Sequence, residues 1–404
     1  MKEKVVLVPY RLFSCFFYKK IICERLLSRS SGLNPGPGLV GPHEGVRRHY
    51  ETHPYPHYPL LASVRRADTY ALNLEALWGY ANGCRPPLQY RRILVAGCGS
   101  FSPYPFAVAN PACEITALDL SQSSLRRARL HCLLHGCLNV TSQAGDLNDP
   151  AIAPGPFGLI DAYGVLHHLE DPQAGLRALT ARLATGGILR VMLYSHAARR
   201  GIEAARRALR RLGVRDVKGV RCLRDRLADN SRLGRRLREP GADTTFAAGL
   251  ADAFLHPQVQ TFTVRSLQRL LDESGLEILL AGHPGALIDP AREFSRLAQV
   301  EADGELAHNF IFYLVRKGQG ACRFDEPAMT LLQTNPCLAG PLRIPLLPLR
   351  LQPRLGRPLP KLDLAARLLL RRCLTPKPVT LLSPAEQDLV GRLREALLLV
   401  LVRD

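Results

Sequence analysis

The sequence lacks long apolar runs and closely paired cysteines, and each absence excludes a class of protein. No apolar stretch in its 404 residues approaches the about 20 residues that a membrane-spanning helix needs. The eleven cysteines are odd in number and include no Cys-x-x-Cys pair, and Cys132 and Cys137 have no second pair to complete a zinc site. We therefore expect reduced, mostly buried thiols and no metal centre, as in a cytoplasmic protein.

A convincing secretion signal is also lacking. The first twenty residues begin with basic side chains, but Pro9 and Arg11 interrupt the apolar stretch and no Ala-x-Ala-like cleavage site follows. We interpret this segment as a weakly amphipathic extension, or as the product of a misplaced start codon, and expect a cytoplasmic location.

Lysine is scarce, so the net charge of +19 comes almost entirely from arginine. A field of this sign attracts anionic partners, including nucleic acid. A preference for arginine over lysine can also result from the base composition of the genome, so the net charge does not identify the substrate class.

The composition changes along the chain in four zones. Residues 1–45 are a poorly patterned extension that ends in a Gly- and Pro-rich linker, and 46–318 are predicted to form one α/β domain. Within this domain, 196–250 form an arginine-rich helical insert. Residues 319–404 form a Leu/Pro/Arg-rich tail, in which Ser383 begins a capping box that predicts a terminal helix through about Val402.

Short apolar runs alternate with amphipathic patterns across the second zone. This alternation predicts a doubly wound, seven-stranded, mostly parallel sheet of Rossmann-like type, which binds ligands at the carboxyl ends of its strands. The sequence predicts strands at 92–96, 114–119, 139–144, 158–163, 187–195, 276–281 and 309–316, with helices that include 123–136, 172–186 and 264–275.

A glycine turn follows the first of these strands. Gly97 and Gly99 allow the backbone to turn sharply and approach a ligand, and Asp119 ends the second strand 22 residues after Gly97. That spacing is typical of a carboxylate that meets ribose hydroxyls in a nucleotide-binding βαβ unit. A dinucleotide fingerprint needs glycine where Ser102 stands, so a ligand without a pyrophosphate is favoured.

Further motifs follow the later strands in order: Gly145-Asp146-Leu147 after the third, Gly164 to Pro172 after the fourth, and Ala184-Thr185-Gly186-Gly187 before the fifth. Together with ILVAGCGSF and ALDLS, they resemble the class I S-adenosylmethionine-dependent methyltransferases. The sequence is most similar to bacterial members with a Pro-Tyr-Pro segment ahead of the domain, here Pro54-Tyr55-Pro56. The resemblance covers about residues 46–316.

The resemblance implies that S-adenosylmethionine is the cofactor and that the chain is a methyltransferase. Gly97 and Gly99 would flank the methionine part, Asp119 would accept hydrogen bonds from the ribose, and Asp146 would meet the adenine amine. Phe101 departs from the family pattern, which often has glycine there, and this predicts either a wider loop or a slightly displaced cofactor. The implied cofactor-binding residues are Gly97, Cys98, Gly99, Asp119, Leu120, Asp146, Leu147, Gly164 and Val165.

Histidines and tyrosines supply the candidates for the acceptor side. His167 and His168 follow the fourth strand, where one could act as a general base, or each could be satisfied by backbone groups. Tyr50 and Tyr55 could close over the cofactor or pack the leading segment onto the sheet. His256 could face the acceptor or be structural.

The arginine-rich insert lies where acceptors enter such a fold. It is either a basic lid for an anionic or RNA substrate or, the interpretation we favour, a lid with ordinary surface charge. The leading hypothesis is methylation of a small molecule. An RNA methyltransferase and a non-catalytic scaffold with this fold remain the alternatives, although the sequence has no Asn-Pro-Pro-Tyr tetrapeptide for base methylation.

Overall fold

The computed structural model describes residues 43–239, 242–319, 331–344 and 348–403. The predictions made for residues 1–42 lie outside these ranges.

A single seven-stranded sheet forms the centre of the molecule, as the sequence predicts. Its strand order is β3-β2-β1-β4-β5-β7-β6, and only β7 runs antiparallel to its neighbours. The central strand β1 pairs in parallel with β2 and β4, so the chain reverses its direction of winding beside β1. The strands are Arg92–Ala96 (β1), Glu114–Asp119 (β2), Val140–Ala144 (β3), Phe157–Tyr163 (β4), Leu183–Leu193 (β5), Leu276–Ala281 (β6) and Phe310–Arg316 (β7).

Helices cover both faces of this sheet, and most of them begin at a side-chain cap. Ser121, Asp171 and Thr263 each accept a hydrogen bond from the backbone N–H three residues later, which satisfies an otherwise unpaired donor. Outside the insert, the α-helices of the domain are Glu44–Thr52 (α1), Leu74–Asn82 (α2), Pro103–Ala109 (α3), Gln122–Leu134 (α4), Pro172–Ala181 (α5), Val264–Glu273 (α10) and Glu293–Ala302 (α11).

The predicted boundary between α5 and β5 is wrong. The helix expected over 172–186 ends at Ala181, and β5 begins at Leu183 rather than at 187. Leu183 pairs with Phe157, and a register shift then separates it from the regular pairing that starts at Ile188. An irregular pairing at the start of a strand leaves no clear periodicity in the sequence.

The insert forms a small helical unit with its own apolar core. Leu209, Val220, Leu237, Leu250 and Phe254 pack together in it, and the last helix runs five residues past the predicted end at 250. Its helices are His196–Arg211 (α6), Val217–Arg226 (α7), Arg232–Arg238 (α8) and Ala247–Leu255 (α9).

The C-terminal segment packs onto the domain through a second sheet. Strands Leu331–Thr334 (β8), Lys377–Pro378 (β9) and Leu399–Val402 (β10) pair antiparallel in the order β10-β8-β9, and β10 lies against α2. The close approach requires Gly79 of α2, where a Cβ would lie 2.8 Å from the Leu401 carbonyl oxygen. The helices of this segment are Ala339–Leu342 (α12), Leu364–Arg372 (α13) and Pro384–Glu395 (α14).

The terminal helix is therefore shorter than predicted. The capping box of Ser383 and Glu386 does begin α14, but the helix ends at Glu395, and the expected helical stretch to Val402 is wrong. The last six apolar residues instead include β10, which pairs with residues of β8 that lie 65 to 71 positions earlier in the chain.

Within the described ranges, no helix combines the length and apolar character that crossing a bilayer requires.

Candidate active site

The tips of β1 and β2 meet at the glycine turn, as predicted. The Gly99 N–H donates a 2.7 Å hydrogen bond to Oδ2 of Asp119, and the Ser121 N–H donates one of 2.8 Å to Oδ1. Gly97 and Gly99 both have φ of +57°, a conformation that favours glycine. The turn and the carboxylate therefore form one preorganised unit at the carboxyl edge of the sheet.

Burial makes the Asp119 carboxylate unusually basic. The residue is only 8 % exposed, and desolvation raises the pKa of its carboxyl to about 6, although the backbone N–H groups of Ser121, Gly99 and Leu120 oppose the shift. The carboxylate of Glu51 on α1 contributes to the same rise. Glu51 also accepts hydrogen bonds from the N–H groups of Gln122 and Ser123, at the start of α4.

The Pro-Tyr-Pro segment contacts the glycine turn through its backbone. The Tyr55 carbonyl oxygen accepts a 3.0 Å hydrogen bond from the Ser100 N–H and faces the position that a Cβ of Gly99 would fill. The Ser100 hydroxyl donates to the Pro56 carbonyl. These contacts pack the backbone of the leading segment onto the glycine turn, and closure of the Tyr55 ring over a cofactor stays a prediction.

Phe101 turns away from the glycine loop. Its ring packs against those of Tyr58 and His131, with centroids 4.5 and 5.0 Å away. Cys98 is also in the core, where burial raises the pKa of its thiol well above the usual range.

The remaining cofactor-side candidates surround the same edge. Val165 packs its methyl groups where a Cβ of Gly97 would be, which joins the tips of β1 and β4. Gly164 has φ of +83°, Leu147 is buried in the core, and Leu120 is half-buried directly after Asp119.

Asp146 has a protein partner in this structure. Its Oδ2 lies 3.2 Å from Nε2 of His43, and its Oδ1 accepts from the Asn148 N–H at 2.8 Å. His43 immediately precedes α1, so the segment that carries Glu51 and Tyr50 also reaches the tip of β3. Glu51 and His43 could not be identified from the sequence, because no periodicity links this leading segment to the sheet edge.

The structure brings four of the predicted histidines and tyrosines into one group. The His168 ring stacks on His256 at 3.8 Å and lies 4.3 Å from His167, and the hydroxyl of Tyr50 donates to Asp252 at 3.0 Å. His256, whose role the sequence left open, therefore lies beside the other candidates.

Backbone contacts fix the protonation of two of these rings. Nδ1 of His168 lies 2.9 Å from the Gln258 carbonyl oxygen, so Nδ1 carries the proton and Nε2 keeps a lone pair. Nδ1 of His256 accepts from the Gln258 N–H at 3.1 Å, which leaves the proton on Nε2. Burial lowers the pKa of His168 to about 4 and also lowers that of His256, so both rings are neutral at pH 7.

His167 is more deeply enclosed than His168. It is fully buried, stacks on Tyr194 with centroids 3.6 Å apart, and burial holds its pKa well below the usual range. We therefore regard His168 as the better placed of the two candidate bases.

Helix α6 adds charged residues that the sequence analysis did not single out. Arg199, Glu203 and Arg206 are spaced by four and three residues, which places them on one helix face toward the histidines. The Arg199 guanidinium lies 3.7 Å from the Tyr194 ring centroid, and Arg206 donates to the His256 carbonyl oxygen at 2.6 Å. Their spacing was the available signal, but it was hidden among the many exposed arginines of the insert.

Two further observations concern metal binding and cavities. In the described part of the chain, no three His, Cys, Asp or Glu side chains are arranged to hold a metal ion. A cavity of about 350 Å³ is lined by Arg65, Cys337 and Arg350 among others, and none of its lining residues is a candidate named above.

Comparison with known proteins agrees with this geometry. Residues 94–189 match the family model described as a methyltransferase domain. An uncharacterized protein from a Synechococcus species is 34% identical over 246 residues, covering 58% of this chain and 59% of that protein. A ubiquinone biosynthesis O-methyltransferase from Bordetella avium is 34% identical over 101 residues, covering 25% of this chain and 41% of that protein.

Among solved structures, PKMT2 from Rickettsia typhi aligns with a TM-score of 0.51 at 15% identity, over 69% of this chain and 59% of that one, which shows a shared fold. The chain thus spans about three fifths or less of the length of these proteins. The strand order and the matched family model together show that the chain contains a methyltransferase domain of the class I fold, which includes residues 94–189.

Proposed function

We propose that the whole chain is an enzyme that transfers a methyl group from S-adenosylmethionine to a small-molecule acceptor. The observation that carries this proposal is the hydrogen bond between the Gly99 N–H and the buried Asp119 carboxylate, at the carboxyl edge of a sheet with methyltransferase topology. The partial match to an O-methyltransferase supports a hydroxyl group as the methyl acceptor.

The residues at this edge fit such a cofactor. Asp119 has lone pairs left for ribose hydroxyls, which would favour the charged form of a carboxyl whose pKa burial raises. Asp146 would meet the adenine amine in place of its contact with His43. Gly97, Gly99, Gly164 and Val165 would surround the methionine part and the donor end.

The reaction requires the protein mainly to align the acceptor with the methyl group and to remove a proton from the acceptor hydroxyl. When bound, S-adenosylmethionine supplies a methyl group already activated by the sulfonium. The residues of this chain then hold the acceptor oxygen in line and keep water away. We propose that Nε2 of His168 takes the hydroxyl proton, because hydrogen bonding of Nδ1 to Gln258 directs the lone pair to Nε2.

Helix α1 would close the site. His43 reaches Asp146, Glu51 reaches the start of α4, and Tyr50 reaches Asp252 of the insert. The segment therefore bridges the tips of β2 and β3 to the insert, and it would have to shift at His43 to admit the adenine ring.

Calorimetric titration with S-adenosylhomocysteine tests the proposal directly. We expect saturable one-site binding to the purified chain. Absence of binding by both S-adenosylhomocysteine and S-adenosylmethionine would favour the non-catalytic scaffold instead.

Exposed arginines on α6 and α8, such as Arg207 and Arg235, keep RNA methylation as the second candidate. Strongly salt-dependent retention of RNA by the protein would favour it, and no retention at low salt would exclude it.

We also propose a cytoplasmic location, supported by eight free cysteines in the described ranges.

A further inference from the structure

We propose that the methyl acceptor carries a carboxylate, which binds to Arg199 in a buried polar cluster formed by α6, α9 and the histidines beside them. This inference rests on the proposed function and names the chemical class of its substrate. The cluster, called the α6 cluster below, consists of His49, Tyr50, His167, His168, Tyr194, Arg199, Glu203, Arg206, Asp252 and His256.

Arg199 has two adjacent N–H donors that are free to bind a ligand. Its Nε and Nη2 atoms are buried and have no hydrogen-bond partner among the described residues, and no carboxylate there forms an ion pair with it. Its guanidinium is held against the Tyr194 ring at 3.7 Å. Nε–H and Nη2–H lie on one edge of the guanidinium, the two-pronged arrangement that matches the two oxygens of a carboxylate.

Two further donors in the cluster also lack acceptors. Arg206 is 3 % exposed, and although Nη2 donates to the His256 carbonyl and Nε lies 3.3 Å from Glu203, its Nη1 has no partner. His256 is 2 % exposed, and its protonated Nε2 has no partner either. Both residues are more than nine-tenths buried, so water does not readily supply the missing acceptors.

This concentration of unsatisfied groups is local. Most of the buried side-chain nitrogen and oxygen atoms that lack a partner in the described ranges belong to the α6 cluster. Buried polar groups in folded proteins are nearly always paired, and a cationic N–H without an acceptor is especially unfavourable. A bound acceptor molecule that supplies oxygens would satisfy the donors among these atoms, on Arg199, Arg206 and His256.

The charges of the cluster select the kind of ligand. A cationic acceptor such as a lysine side chain would meet the N–H groups of two arginines. A phosphate dianion would place its second charge near the carboxylates of Glu203 and Asp252, which are already paired with Arg206 and Tyr50. A single negative charge spread over two oxygens suits the free edge of Arg199 best.

The carboxylate site and the proposed base belong to the same cluster. The rings of His168 and Tyr194 are 5.8 Å apart, and Arg199 lies on Tyr194. A small hydroxy acid therefore has the right chemistry to engage both groups, with its carboxylate on Arg199 and its hydroxyl near Nε2 of His168.

Thermal unfolding of the protein saturated with S-adenosylhomocysteine tests the inference. The probes are lactate, 2-hydroxybenzoate and 4-hydroxyphenylacetate, each compared with its own primary amide, and inorganic phosphate. We expect at least one carboxylate to raise the Tm by about 3 °C or more above its amide. Arg199→Gln should abolish this difference and still bind S-adenosylhomocysteine. Arg207→Gln, which removes an exposed arginine from the same helix, should retain it.

The outcomes separate this inference from the function on which it rests. If S-adenosylhomocysteine does not stabilise the wild-type protein, the proposed function is wrong. If it does, but every amide matches its carboxylate, or the difference survives in Arg199→Gln, the carboxylate inference alone is overturned. Stabilisation by phosphate greater than that by every carboxylate would also overturn it.

Discussion

The backbone N–H of Gly99 and the side chain of Asp119 are joined by a 2.7 Å hydrogen bond between the tips of two parallel strands. This contact holds the carboxylate at the edge of the sheet before any ligand arrives, so binding need not order it. We expect Asp119→Ala to weaken S-adenosylhomocysteine binding at least tenfold, or about 1.4 kcal/mol. Calorimetry measures the change, and an unchanged Kd in a folded variant would contradict the role of Asp119.

The raised pKa of Asp119 predicts how binding depends on pH. The free protein has a pKa of about 6 at this carboxyl because it is buried, and hydrogen bonds from ribose hydroxyls favour the charged form. Binding therefore lowers this pKa, and affinity should fall as the pH drops below 6. The Kd at pH 5 should exceed that at pH 7 by about tenfold. Asp119→Asn should bind weakly and with little dependence on pH; equal dependence in both proteins would assign the titration to another group.

His168→Asn tests the assignment of the general base. The Asn side-chain amide can still donate to the Gln258 carbonyl, but it cannot take a proton. We expect kcat to fall by about 10²- to 10⁴-fold with an acceptor identified by the carboxylate screen. The Kd for S-adenosylhomocysteine should not change. His167→Phe, which keeps the stack on Tyr194, is the matched control. A larger loss in His167→Phe than in His168→Asn would reverse the assignment.

The sequence predicted the sheet and the glycine–carboxylate pair because both depend on local signals. Each strand is a short apolar run, and the 22-residue spacing of Gly97 and Asp119 follows from one βαβ unit. The bounds of β1, β2 and β6 agree with the prediction at both ends. Contacts between distant segments carried no such signal.

Three features show where sequence reasoning fails. The contact of His43 with Asp146 depends on how the leading segment lies across the sheet. The burial of the Nε and Nη2 atoms of Arg199 depends on the angle of α6, since the nearby arginines Arg200 and Arg207 on the same helix are exposed. The strand β10 contains only leucine and valine and has no alternation of polar and apolar residues, because β8 and α2 bury it.

The buried histidines should make the fold sensitive to acid. Burial lowers the pKa of His49 and of His168 from 6.5 to about 4, and lowers that of His256 further. Between pH 6.5 and 4 the unfolded chain therefore binds protons that the folded chain excludes, and stability falls as the pH falls. Each such histidine contributes a slope of up to about 1.4 kcal/mol per pH unit. Asp119 acts in the opposite direction, because its pKa is raised by folding, but it is one group against several.

Urea unfolding at pH 7.5 and 5.0 measures this dependence. We expect a lower free energy of unfolding at pH 5.0, and a smaller difference between the two pH values in His168→Asn than in the wild type. Equal stability at both pH values would show that these histidines are protonated in the folded protein.

Gly79 and Gly391 provide a matched test of how the C-terminal segment packs. Both are helical glycines, but a Cβ at Gly79 would lie 2.8 Å from the Leu401 carbonyl oxygen, whereas nothing lies within 4 Å of one at Gly391. Gly79→Ala should therefore destabilise the protein by about 1–3 kcal/mol through overpacking. Gly391→Ala should be neutral or stabilise it by up to about 1 kcal/mol, because alanine favours the helix. Urea unfolding of the two variants gives the comparison. If Gly79→Ala stabilises the protein as much as Gly391→Ala, then β10 does not rest on α2, and the second sheet is not anchored to the domain through that helix.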